Sequence, residues 1–570
     1  MSVDAPPSSL IDRPGFGALF MPKLVTVLRE GYGLAAFRAD VAAGLTVAIV
    51  ALPLSMAIAI ASGAPPERGL FTAIVGGFLV SALGGSRFQI GGPAGAFIVL
   101  VAAAVDRHGI DGVVLATTMA GVFLMVAGYL RLGTFIKFIP YPVTVGFTAG
   151  IAVIIFASQV KDLLGLTITG KEPGEIIAKA EVLARALPTI NVGALALAVL
   201  TIGVIFGLKR VRPHWPGMLI AVAAAAVVTW AFALPVETIA SRFGGIPSML
   251  PAPALPEFSF AKAQAVLPDA IAFALLGAIE SLLSAVVADG MTGRRHRSNC
   301  ELVAQGVANI GSAMFGGICV TGTIARTATN VRAGARGPIA GMLHSAFLLL
   351  FMLLAAPLAG YIPLAALAGV LAIVAWNMAE KHEFATLLRS SRGDAVLLLA
   401  TFLLTVFRDL TEGIVVGFAL GAVLFISRMA TASGVEEHAP LVPSDRADAD
   451  ANGKRTPYDS DLATDTKVVV YRLAGAFFFG TASTVGAVLD RIADQRKAFV
   501  IDFSAVPFVD STAANVIAGI GRKAERHGVR VYITGAVPAV RRALLLAGAR
   551  RPQVRYLPHI DDAVREAHGL

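Results

Sequence analysis

The chain has 570 residues, of which 56% are hydrophobic and only 15% charged, with a mean hydropathy of +0.74. Soluble domains carry about 25% charged residues, so composition excludes a wholly soluble protein and points to a polytopic membrane protein with a smaller soluble part. The net charge of +9 fits cationic cytoplasmic loops and calls for no nucleic-acid partner.

Residues 1–36 open MSVDAPPSSLIDRPGFG, without a basic stretch leading into an apolar core, and read as a cytoplasmic tail. A transmembrane region follows over 37–432. Its apolar segments lie at 41–61, 67–84, 94–105, 112–130, 138–157, 191–208, 216–234, 267–288, 302–315, 323–334, 338–357, 362–378, 394–407 and 412–427. That makes fourteen, including two short ones, and they divide into two groups of seven. An odd number per group forces the second to insert upside down, the inverted-repeat arrangement with its site at the repeat interface. The even total, with the Lys- and Arg-rich loops around 209–212, 294–297 and 381–392 on one side, places both termini in the cytoplasm.

Two segments are too polar and too broken to face lipid. The first, Gly84 to Val101, reads GGSRFQIGGPAGAFIVLV; the second, Phe315 to Gly341, reads FGGICVTGTIARTATNVRAGARGPIAG. Irregular backbone at membrane depth persists only where protein buries it or water lines it. A pair of Gly/Pro-interrupted segments in corresponding halves marks a transporter binding site. The second reads as a short helix beginning near Thr323. Its N-terminus offers unpaired N–H groups and about half a positive charge, and Arg326 stands one turn in, which makes an anion site. Thr323, Ile324 and Ala325 supply backbone N–H groups. In the first half, Pro93 sits where a helix can start, and Gly92, Pro93, Ala94, Gly95 and Ala96 form the matching substrate-binding stretch. Glycines at such places also serve tight helix packing.

Glu280 lies deep in the apolar run IAFALLGAIESLLSAVV. Insertion scales put an intramembrane carboxylate at roughly +2.5 to +3.5 kcal/mol, so something must offset it. The functional reading is a proton-coupling group; the structural one is a carboxylate paired with Arg326 or capping a broken helix. Ser284 lies one turn on, on the same face.

From 433 to 466 the chain turns polar and rich in Pro, Ala and Asp, a flexible linker. Residues 467–570 form a soluble domain. Strands are expected at Lys467–Leu473, Ala476–Gly480, Ala498–Phe503 and Val529–Thr534, and helices at Thr481–Asp494, Thr512–His527 and Val537–Ala547, a small α/β sheet covered by helices. The two cysteines, Cys300 and Cys319, imply no disulfide framework. No phosphate-loop motif, zinc-binding HExxH or nucleophile elbow occurs, so neither an ATP-driven pump nor an enzyme is expected, and no cofactor or metal.

Several ordered motifs carry a resemblance to one family. DVAAGLTVAIVALPLSMAIAIASGAPPERGL, GGSRFQIGGPAGAF, AIESLLSAVVADGMTG and TGTIARTATN resemble the first, third, eighth and tenth spans of the SulP, or sulfate permease, anion transporters. VIDFSAVPFVDSTAANVI is similar to a STAS domain. The resemblance implies fourteen spans in two inverted seven-span repeats, a core domain rocking against a gate domain, a homodimer, and transport of small anions such as sulfate, bicarbonate, chloride, oxalate or C4-dicarboxylates. It implies coupling to H+ or Na+ through the acidic residue matching Glu280, with a hydroxyl at Ser284 helping where the ion is sodium. Leu54 and Ile58 match positions where some members have Gln and an aromatic residue, so the pocket wall here is more apolar. Ser511 matches the site phosphorylated in related soluble antagonists of anti-sigma factors, although a helix N-cap is the plainer reading. The expectation is a proton-coupled symporter of sulfate or a related inorganic anion. C4-dicarboxylate uptake and sodium-coupled bicarbonate uptake are its alternatives within the class. A channel or motor, or a membrane-anchored STAS regulator with a protein partner of its own, are the alternatives outside it.

Overall fold

A computed structural model describes residues 16–134, 140–168, 173, 175–212, 215–408, 410–432, 468–478 and 498–568. The expected linker and the helix at Thr481–Asp494 lie outside the described residues. The chain divides into two compact units, one of residues 1–136, 148–379 and 406–411, the other of 137–147, 380–405 and 412–570.

The first unit is helical. Its long elements begin with α1 (Leu34–Ala61), α2 (Pro66–Phe71) and α3 (Gly77–Leu83), the last two joined by a π-helical turn at Thr72–Gly76. The two-residue strand β1 (Gly91–Gly92) leads through a 3₁₀ turn at Gly95–Phe97 into α4 (Ile98–Tyr129). There follow α5 (Tyr141–Leu164), α6 (Val192–Val211), α7 (Gly217–Ala231), α8 (Phe260–Thr292), α9 (Ser298–Met314), strand β2 (Thr321–Gly322), α10 (Ile324–Arg332), α11 (Ile339–Ala359) and α12 (Leu364–Met378). Two more apolar helices, α13 (Arg392–Phe407) and α14 (Leu410–Ala432), complete the membrane region. Each of the fourteen expected segments is helical. Those at 94–105 and 112–130 are the two arms of α4, separated where Gly109 leaves helical geometry with φ 67° and ψ −178°, a conformation that suits a residue without a Cβ.

Among the described residues, seven helices are long and apolar enough to cross a membrane by length and composition. Their outward side chains are those of a lipid-facing surface: Phe156, Val199 and Leu354 are 50%, 61% and 73% exposed. Lipid gives helices no hydrophobic reason to associate, so contact relies on close approach of small residues. A Cβ on Gly44 of α1 would lie 2.6 Å from the Ala340 carbonyl of α11, and one on Gly121 of α4 would lie 2.7 Å from that of Gly306 of α9.

In the second unit the C-terminal domain is a four-stranded parallel sheet, β3 (Val468–Ala474), β4 (Ala498–Ala505), β5 (Arg530–Thr534) and β6 (Val554–Leu557), in that order. Phe499, Ile501 and Phe503 point to one face and are covered by α15 (Ser511–Arg526), through Ala513 and Ile517, and by Leu544 of α16 (Pro538–Leu546). Val500 and Tyr532 point to the other and meet Ala563 and Ala567 of α17 (Ile560–His568). β6 and α17 have no counterpart in the sequence reading, which stops at Ala547. The expected strand at Ala476–Gly480 is, where described, a single bridge from Phe477 to Val509.

Candidate anion site between two half-helices

The two broken segments meet. Gly91 pairs with Gly322 and Gly92 with Thr321, antiparallel. An antiparallel ribbon sends the two chains out at opposite ends, so α10 and the 3₁₀ turn that opens α4 leave in opposite directions and direct their N-termini back toward each other. In α10 the first backbone bond runs from Thr327 N–H to the Thr323 carbonyl (2.9 Å), which leaves the N–H groups of Ile324, Ala325 and Arg326 unused by the helix. In the first half, Phe97 N–H bonds the Ala94 carbonyl (3.1 Å), and the N–H groups of Gly95 and Ala96 are in the same position. Ala325 is exposed and Gly95 and Ile324 are half-buried, while Gly92, Pro93, Ala94 and Ala96 are covered. The accessible edge of the site is therefore formed by Gly95, Ile324 and Ala325.

Two sequence expectations need correction here. Thr323 does not offer its N–H: both that group and its hydroxyl donate to the Ile90 carbonyl, at 2.9 and 3.1 Å, because the ribbon needs them to close. Pro93 is not the first helical residue. Ala94, in extended conformation, is the cap, and the Pro93 carbonyl instead receives a hydrogen bond from Arg326.

Arg326 is the centre of the arrangement. Its Nη2 donates to Ser55 Oγ of α1 (3.1 Å) and to the Pro93 carbonyl (3.3 Å). Its Nε and Nη1 have no protein partner, and the side chain is 2% exposed. Among the described residues it makes no ion pair, so the Arg326–Glu280 pair left open by the sequence is not formed. A Cβ on Gly92 would run into Nη1, while the next atoms, Arg326 Cζ and Ala73 Cβ, stand at 3.4 and 3.7 Å. Glycine at 92 thus makes room for the guanidinium.

Glu280 is 6% exposed on α8, the helix that ties the ribbon down. Ser281 Oγ accepts from Gly322 N–H (3.0 Å) and pairs with Thr321 Oγ (2.9 Å), while Thr321 Oγ also reaches the Gly277 carbonyl (3.2 Å). Ser284 Oγ donates to Thr327 Oγ1 (2.9 Å), which in turn accepts from Ile90 N–H (3.1 Å). The hydroxyl expected beside a coupling ion is thus engaged with α10, and it links the helix bearing Glu280 to the helix bearing Arg326. Leu54 and Ile58 are buried at 6% and 2% exposure. The residue of α1 that touches Arg326 is Ser55, which sequence reading passed over because one serine in an apolar helix carries no distinguishing signal.

In the second unit, Ser511 is not the cap of α15. Asp510 is, its carboxylate accepting from Ala513 N–H (2.8 Å), and Ser511 Oγ donates to Asp394 Oδ2 (3.2 Å). A carboxylate one residue earlier reaches the free N–H groups better than a hydroxyl already inside the first turn.

The profile of the sulfate permease family matches residues 37–401, and that of the STAS domain residues 460–567. The chain is 40% identical over 511 residues, 89% of its length and 93% of the relative's, to the Bacillus subtilis (strain 168) protein named "Putative sulfate transporter YvdB". It is 32% identical over 550 residues, 93% of its length and 94% of the relative's, to "Bicarbonate transporter BicA" of a Picosynechococcus species. The transmembrane domain of a cyanobacterium bicarbonate transporter BicA matches with a TM-score of 0.61 and 32% identity, over 67% of this chain and 98% of that one.

Proposed function

The chain belongs to the sulfate permease family of anion transporters, and on that premise we propose that it is a secondary active, proton-coupled symporter of sulfate or a related inorganic anion, working by alternating access. The observation that carries this reading is Arg326: a buried guanidinium with no carboxylate partner, set where two helix N-termini converge. A charge taken out of water without a partner costs several kcal/mol, and an anion in the site offsets that cost. Helix N-termini and unused N–H groups favour the same ligand. The substrate rests between Gly92–Ala96 and Ile324–Arg326, with Leu54 and Ile58 in the apolar helix behind. Glu280 carries the coupling proton on a helix that Ser284 and Ser281 tie to the anion-binding ribbon, so its protonation and anion binding act on one rigid piece. The working unit is a homodimer in the bacterial inner membrane, both termini cytoplasmic, with the STAS domain supporting the dimer or receiving a protein partner.

Bicarbonate is the second substrate reading, favoured by the 32% identity to a protein named as a bicarbonate transporter; sodium is then the alternative coupling ion. Uptake of labelled sulfate, bicarbonate and succinate into proteoliposomes, under a proton or a sodium gradient, decides between these. Proton-driven accumulation of sulfate above equilibrium is the expected result. Accumulation that follows sodium alone, or none beyond equilibrium, refutes the coupling.

A further inference from the structure

Twelve buried side-chain nitrogens and oxygens among the described residues lack a hydrogen-bond partner, and seven belong to four residues of the anion-binding region: two each on Gln89, Arg326 and His344, and one on Asn330. None of the four residues is more than 3% exposed. Buried polar groups are nearly always satisfied, so such a concentration needs a physical account.

The four surround one region. Gln89 lies two residues before the ribbon, and its amide lies against Gly322, so closely that a Cβ there would meet Nε2 and Cδ. Asn330 lies one turn beyond Arg326 on the same face of α10. Its Nδ2 donates to the Phe88 carbonyl (2.9 Å), but its Oδ1 bonds nothing. His344 lies on α11 where that helix meets α1, its backbone nitrogen 3.1 Å from where a Gly44 Cβ would be. The next residue, Ser345, donates to the Ala73 carbonyl (3.1 Å) in the π-helical turn, and Ala73 Cβ is also the neighbour of Gly92. A Cβ on Gly77 would stand 2.9 Å from both Ser345 Oγ and the Gly91 carbonyl, which sets this turn of α11 beside the ribbon, and the imidazole is fully covered.

Donors and acceptors are both present in this set. Arg326 Nε and Nη1 only donate, Asn330 Oδ1 only accepts, and the Gln89 amide and a neutral imidazole do both. Complementary groups that share a region yet make no direct bond are separated by more than bonding distance, and a polar gap of that width is where bridging water sits. We infer that Gln89, Asn330 and His344 share ordered water with Nε and Nη1 of Arg326, and that His344 is a positioning residue which holds the guanidinium in register with the two helix N-termini. Nη2 is fixed directly by Ser55 and Pro93; the other two nitrogens are fixed through water. The functional side of this inference rests on the reading of Arg326 as the anion-binding charge.

The test uses the full-length protein with His344→Leu, His344→Gln and Arg326→Met, alone and combined. Leucine fills the volume without hydrogen bonding; glutamine restores one donor and one acceptor. For sulfate uptake, His344→Leu is expected to raise KM about tenfold, roughly the worth of one bridged hydrogen bond to a charged group, with kcat within about twofold of the original; His344→Gln recovers most of the KM. In thermal unfolding without anion, the effect of His344→Leu is expected to shrink when Arg326 is already methionine, a coupling that independent sites lack. Additive unfolding effects, a KM unchanged in His344→Leu, or equal damage from leucine and glutamine would each overturn the inference. The unfolding cycle needs no substrate, so if the wild type transports none of the anions, the functional reading fails while the water-linked network is still decided.

Discussion

Replacing Arg326 by methionine should abolish anion binding while leaving the stability of the anion-free protein nearly unchanged. An anion about 5 Å from the guanidinium gains about 3 kcal/mol of attraction at an effective dielectric near 20, and its loss corresponds to roughly a hundredfold in affinity. Methionine keeps much of the side-chain volume and adapts to irregular space, so little packing is lost. What is lost in stability is the pair of hydrogen bonds from the charged Nη2, 3.1 and 3.3 Å long, together worth about 3–6 kcal/mol. What is relieved is a 2%-exposed charge with no carboxylate partner, an arrangement costing about 3–5 kcal/mol. The two nearly cancel, so without anion the variant should stay within about 2 kcal/mol of wild type, a Tm within about 2 °C for a chain of this size. The assay is thermal unfolding in detergent with and without sulfate, paired with proteoliposome uptake. Wild type should gain stability from sulfate and Arg326→Met should not, while starting from a similar baseline. A variant that still responds to sulfate with unchanged affinity would refute the reasoning.

Other expectations follow from neighbouring contacts. Gly92→Ala drives a methyl into Arg326 Nη1 with ordinary space elsewhere, so it should cost about 1–3 kcal/mol of stability and weaken anion uptake at least tenfold; wild-type uptake would contradict the assigned close approach. Glu280→Gln should abolish uphill, proton-driven accumulation while leaving anion-induced thermal stabilisation in place; accumulation that persists in this variant would remove Glu280 from the coupling role. In the C-terminal domain, Asp510→Ala should cost about 0.5–2 kcal/mol and speed amide exchange at Ala513, whose N–H it caps, while Ser511→Ala leaves that exchange unchanged. Cys300 and Cys319 are both buried, 2% and 1% exposed, so an aqueous maleimide should label the folded protein slowly and the unfolded protein fully; rapid labelling of the folded protein would contradict that burial.

The chain by itself determined the class, the apolar segments and the two places where they break. Those are local properties: hydropathy over a window, helix-breaking Gly and Pro, and one Arg and one Glu too expensive to sit in lipid without purpose. They sufficed to mark Gly92–Ala96, Arg326 and Glu280, and the half-helix beginning at Thr323. Only the tertiary structure decided what those residues touch. That Gly91 faces Gly322 depends on a pairing across more than two hundred residues, which no local pattern encodes. The same pairing consumes the Thr323 N–H, turns the Pro93 carbonyl toward Arg326 and brings Ser55 to its Nη2. Ser55 and His344 were illegible for a related reason: a lone polar residue in an apolar helix reads the same whether it bonds its own backbone or a charge from another segment. Its partner is set by which helix faces meet, and in a membrane that is settled by small residues such as Gly44 and Gly121 permitting backbones to approach, a property of pairs of helices and not of either sequence alone.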